Sequence, residues 1–84
     1  MTVATVVESM KGLNSSQHLS LGEIAKVTGV SRTSVSRWAK NLNVSNLLGT
    51  NKILATELIN YLIGKGQIER AERVYRFVTN IEST

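Results

Sequence analysis

Between Ser31 and Leu42 the chain carries Arg32, Arg37 and Lys40 without a single acidic residue, and hydroxyl residues, Thr33 and Ser36 among them, are interspersed. Guanidinium, ammonium and hydroxyl groups at this density supply donors and positive charge, which is chemistry suited to phosphate oxygens and to the acceptor edges of nucleobases. They can act together only if the backbone puts them on one side. On an ideal helix with Arg32 at zero, Ser36, Lys40, Thr33 and Arg37 fall at about 40°, 80°, 100° and 140°, while Trp38, Leu42, Val35 and Ala39 fall at about 240°, 280°, 300° and 340°. One face is then apolar and fit for a core, and the other presents the donors. An arginine fork can grip a guanine edge bidentately, hydroxyls adapt to several bases, and a lysine neutralises phosphate as a point charge.

Such a helix must be started, stopped and braced, and the residues before it carry those signals. Ser20 followed by Glu23 reads as a capping box, with Leu19 and Ile24 placed as a hydrophobic staple across it. The spacing predicts a helix over about residues 21–28, ended by Gly29, which takes a positive φ without a Cβ clash. Ser31 is a second N-cap with Val30 and Val35 as its staple, and the helix it opens is expected to run to about Leu42. Two short helices joined by a turn of roughly three residues around a glycine form a helix-turn-helix.

The stretch from Leu21 to Lys40, LGEIAKVTGVSRTSVSRWAK, resembles the DNA-binding helix-turn-helix of phage and bacterial regulators, over about a quarter of the chain. The run VSRTSVSRWAK is also similar to segments of transposase-associated and phage regulatory proteins. The resemblance implies that Ala25 lets the second helix cross closely, that Gly29 makes the turn, and that Val35 and Trp38 lock the pair, with Ile24 and Val30 as further core positions. It also implies that Ser31, Arg32, Thr33, Ser36 and Arg37 touch DNA. Lys40 joins them by its place on the helical wheel. Trp38 is expected in the core, since a tryptophan on the apolar face serves there more often than as a base-stacking platform.

Elsewhere the periodicity is helical. Val3, Val6, Val7, Met10 and Leu13 predict a first helix over about residues 3–12 ending near Gly12. Residues 14–18 form a polar linker in which the lone His18 is assigned no role. Ile53, Leu54, Leu58, Ile59, Tyr61, Leu62 and Ile63 predict a helix over about 52–63, closed by Gly64, Lys65 and Gly66. A last helix over about 67–81 alternates charges, with Glu69 and Arg73, and Glu72 and Arg76, spaced as i,i+4 pairs. The expected fold is therefore all-α, about five short helices, with the helix-turn-helix at about 21–28 and 31–42 packed against C-terminal helices at about 52–81. The alternative is a winged helix with a short hairpin at 44–56, in which Val44 to Leu48 and Ile53 to Thr56 are strands and Gly49 to Lys52 turn between them. The all-helical version is favoured because Ile53 to Ile63 keeps helical spacing. Lys52 can reach a phosphate in either.

Composition narrows the functional classes. With 84 residues the chain has material for a single domain, and a net charge of +4 with a pI near 9.9 favours a polyanionic partner. Cysteine is absent, which removes disulfides, thiolate metal sites and thiol nucleophiles. One histidine, scattered acids and no phosphate-cradling glycine loop leave no nucleophile and base placed together, so an enzyme is not expected, nor a cofactor or metal. No apolar run is long enough to span a membrane and the N-terminus lacks the basic-then-apolar order of a secretion signal, so a cytoplasmic, nucleoid-associated protein is expected. These readings converge on sequence-specific binding of double-stranded DNA by a homodimeric transcriptional regulator, with repression as the sign suggested by analogy. The wide apolar arc of the C-terminal helices would supply the dimer interface. The rival is an interaction or assembly module, of the phage packaging or recombination accessory type, whose C-terminal helices bind a protein and whose basic helix makes only nonspecific DNA contact.

Overall fold

Capping chemistry decides the boundaries in the N-terminal half. In the computed structural model, which describes residues 3–82, α1 spans Val3–Lys11, β1 His18–Ser20, α2 Leu21–Thr28 and α3 Arg32–Ala39. The capping box before α2 is complete. Ser20 Oγ accepts from the Glu23 N–H at 3.2 Å, and Glu23 Oε1 accepts from the Ser20 N–H at 3.1 Å, so each residue satisfies a backbone donor the helix would otherwise leave orphaned. Leu19 and Ile24, the two sides of the staple, are both buried. Gly29 ends α2 at φ 73°, its N–H donating to the Ala25 carbonyl, and Ser31 caps α3.

After α3 the all-helical expectation fails. The helix stops at Ala39, short of Leu42, and Lys40, Asn41 and Leu42 close it with N–H bonds to the carbonyls three residues back. The chain then makes a hairpin: β2 spans Val44–Leu47 and β3 spans Thr50–Leu54. Residues 52 to 54, expected in a helix, are thus strand, and α4 begins only at Ala55 and ends at Gly64. The fold is mostly helical, with five helices among the described residues, but a three-stranded antiparallel sheet in the order β1-β3-β2 accompanies them. A hairpin is present, as in the alternative reading, but over 44–54 rather than 44–56: Leu48 lies in the turn instead of a strand, Thr50 to Lys52 pair instead of turning, and Ala55 and Thr56, expected as strand, already belong to α4.

Non-local pairing explains the difference. Leu19 of β1 and Val44 of β2 both stand opposite Ile53 on the middle strand, which places apolar side chains in one row, and Leu19 and Ile53 are buried. The pleat sends the next row, Ser20, Lys52 and Ser45, to the other face. No local spacing rule could find this row, since it joins segments about thirty residues apart.

The C-terminal half closes the core. α5 spans Ile68–Glu82 and follows α4 through a Schellman turn: Gly66 sits at φ 76°, its N–H donates to the Ile63 carbonyl, and the Gln67 N–H donates to the Leu62 carbonyl. α5 packs on α4, α2 and α1. Ala71, Val74 and Val78 from α5 meet Leu58, Ile59 and Leu62 from α4 in one buried cluster with Ile24, Val35, Trp38 and Met10. In α1, Val6 and Val7 are half-buried, whereas the side chain of the expected Val3 lies outside the described residues. Among the described residues no helix is long and apolar enough to cross a membrane.

Candidate nucleic-acid interface

The donor-bearing face of α3 is free because its other face is anchored. Val35 is fully buried and Trp38 is 8% exposed, so both sit in the core as their wheel positions require. Opposite them Arg32, Thr33, Ser36, Arg37 and Lys40 are all exposed. Among the described residues both ion pairs lie on α5, and no hydrogen bond engages the side chain of Arg32, Arg37 or Lys40, the Asn41 amide donating only to the Arg37 backbone carbonyl. A cation left unpaired in water loses little and keeps its full charge for an anionic partner.

Ser31 is exposed too, but its hydroxyl is already occupied. The oxygen accepts from the Ser34 N–H at 3.2 Å and the O–H donates to Ser34 Oγ at 3.1 Å, so the side chain's first task is to start α3. Lys52 lies apart from the helix, half-buried on the middle strand between Ser20 and Ser45.

The structure adds what surrounds these residues. One shallow concavity is lined by Ser20, Leu21 and Gly22 at the start of α2, by Arg32 on α3, and by Gly49, Thr50 and Asn51 where the hairpin turns. The N-terminal ends of both helices and the hairpin tip therefore share one side of the molecule. Helix N-termini favour anions through their unpaired N–H groups, and here no acidic side chain lines the concavity. The sequence offered this hairpin as the alternative reading, with Gly49 in its turn, but gave it no part in the site beyond Lys52. At its tip Asn46 Oδ1 accepts from the Gly49 N–H at 3.1 Å, and Asn46 Nδ2 donates to Asn51 Oδ1 at 3.4 Å.

A second missed residue holds the helix pair in place. Arg73 of α5 forms the expected i,i+4 pair with Glu69 at 3.3 Å, but its Nη1 also donates to the carbonyl of Thr28 at 3.3 Å. That carbonyl ends α2 and would otherwise be one of the helix's orphan acceptors. Thr28, itself buried, donates its hydroxyl to the Ile24 carbonyl at 2.7 Å. The turn at Gly29 is thus tied to the C-terminal helix, 45 residues away in sequence. Among the described residues no group of three or more His, Cys, Asp or Glu converges as metal ligands would.

No family model matches this chain, and neither a curated protein nor a solved structure matches it.

Proposed function

We propose that this protein binds double-stranded DNA with sequence specificity as a winged helix-turn-helix, and acts as a transcriptional regulator. In this reading α3 enters the major groove, and Arg32, Thr33, Ser36 and Arg37 read base edges. Lys40 and Lys52 neutralise phosphates on either side, and the N-terminus of α2 meets the backbone. Two copies on half-sites about one helical turn apart would form the regulatory unit, and repression by occluding polymerase is its simplest consequence.

The observation that carries the proposal is the state of α3 and its C-cap Lys40: five exposed donor side chains, none paired with an acid among the described residues, opposite a face locked into the core by Val35 and Trp38. The shared concavity of α2, α3 and the hairpin supports it by widening the same surface. Selection of bound sequences from random duplex DNA tests it. A recovered consensus is expected, with affinity falling as salt rises at a log-log slope of about −0.9 per phosphate neutralised. Binding without any sequence preference against competitor DNA would defeat the regulator and favour an assembly module instead.

A further inference from the structure

The tip of the hairpin carries a residue that the fold itself does not explain. Leu47 pairs with Thr50, so Leu48 and Gly49 form a two-residue loop, and both have positive φ, 53° and 79°. Successive positive φ values mark the type I′ turn, for which Asn, Asp and Gly are the favoured residues because a bulky side chain strains the left-handed backbone. Leucine is an unfavourable choice there. It is also fully exposed, at 105%, so the side chain contributes nothing to the core. Asn46 braces the turn beneath it, accepting from the Gly49 N–H and donating to Asn51 Oδ1.

The charge around it is equally specific. From Val44 to Asn51 the hairpin has no ionisable side chain, so its tip is unsuited to gripping phosphates. Yet Gly49, Thr50 and Asn51 share a concavity with Arg32 and with the start of α2, which makes the tip continuous with the cationic surface. An uncharged tip that presents the apolar Leu48 suits a minor groove, where an apolar side chain can enter between base steps.

We infer that Leu48 is an apolar wedge that enters the minor groove beside the site read by α3 and bends the duplex there. The inference rests on the DNA-binding reading above and gives it an architectural consequence: the protein shapes its site as well as occupying it. Leu48 partly unstacks one base step, and the bend brings more backbone against the basic face.

Fluorescence energy transfer between the ends of a duplex carrying the selected site measures the bend, with wild type, Leu48→Asn and Leu48→Met compared at saturating protein. The wild type is expected to bend the duplex by an angle on the order of 20 to 90°. Leu48→Asn folds, since asparagine suits the turn, and keeps its sequence preference while losing most of the bend; Leu48→Met retains it. A bound but straight wild-type complex, or an equal bend with Leu48→Asn, overturns the wedge and leaves the DNA-binding reading standing. An unchanged bend with Leu48→Asn alongside weakened self-association in sedimentation places a second copy of the chain over Leu48 and overturns the wedge as well. Failure of the wild type to select any site removes the DNA-binding reading, and the wedge with it.

Discussion

α3 and α5 both carry arginines on their outer faces, but the two helices use them in opposite ways. On α5, Arg73 pairs with Glu69 and Arg76 with Glu72, each one turn along the same helix, and Arg73 also ties down the carbonyl of Thr28. On α3, Arg32 and Arg37 have no acid within the same helix to meet, and among the described residues the fold brings none to them. Residue type is therefore a poor guide to function here, and neighbourhood is a good one. An arginine compensated by a glutamate four residues away presents little net field, whereas three uncompensated cations on one short helix and its C-cap present a directed one. The helix that completes the core is neutralised, and the helix held at the edge of the core is left charged.

Substitutions can break this contrast or sharpen it. The largest effect is expected from Trp38→Ala, which removes the aromatic anchor beneath α3 and should cost about 3 to 5 kcal/mol of stability in urea unfolding. DNA binding would fail with it, because the donor face loses its support. Next, Arg37→Ala should leave the unfolding midpoint where it is and weaken binding to the selected site by about 1 to 3 kcal/mol, read by fluorescence anisotropy. Equal affinity for wild type and variant would erase the distinction between the two helices.

Gly29→Ala tests the link between them. The backbone there is left-handed, which costs a residue with a side chain roughly 1 to 2 kcal/mol, and the added Cβ would meet Arg73 Nη1 at 3.2 Å. Thermal unfolding should show the loss, and the bond from Arg73 to Thr28 should weaken with it. Smallest of all is Arg76→Ala, which removes an exposed partner of Glu72. It should change stability by only a few tenths of a kcal/mol, and leave DNA affinity unchanged by the same anisotropy assay. A drop in affinity as large as that of Arg37→Ala would extend the interface onto α5.

Much of the candidate site was legible because its logic is local. The serine caps, the glycine turn and the division of α3 into two faces all depend on residues within four positions of one another, and each is found where the spacing places it. Less legible was the division of labour. Ser31 looks like a DNA contact by position, but its hydroxyl is engaged in capping, a competition that only the hydrogen-bond partners reveal. The stretch from Lys52 to Leu54 misled for a physical reason: Ile53 and Leu54 fit a helical stripe with Leu58 and equally fit a strand, and short apolar runs do not separate the two. Spacing put Leu48 in a strand and Arg73 in a pair with Glu69, but the exposure of Leu48 in the turn and the bond of Arg73 across 45 residues are not properties of sequence spacing.

The starts of α2 and α3, the cap chemistry and the two faces of α3 were determined by the amino-acid order alone, because hydrogen bonds over three or four residues and a period near 3.6 need no knowledge of distant chain. The sheet, the late start of α4 and the common surface of α2, α3 and the hairpin were decided only when β1 and β2 closed on either side of β3. Burying Leu19 and Ile53 in one row rewards that closure, and the reward exists only after segments far apart in sequence have met.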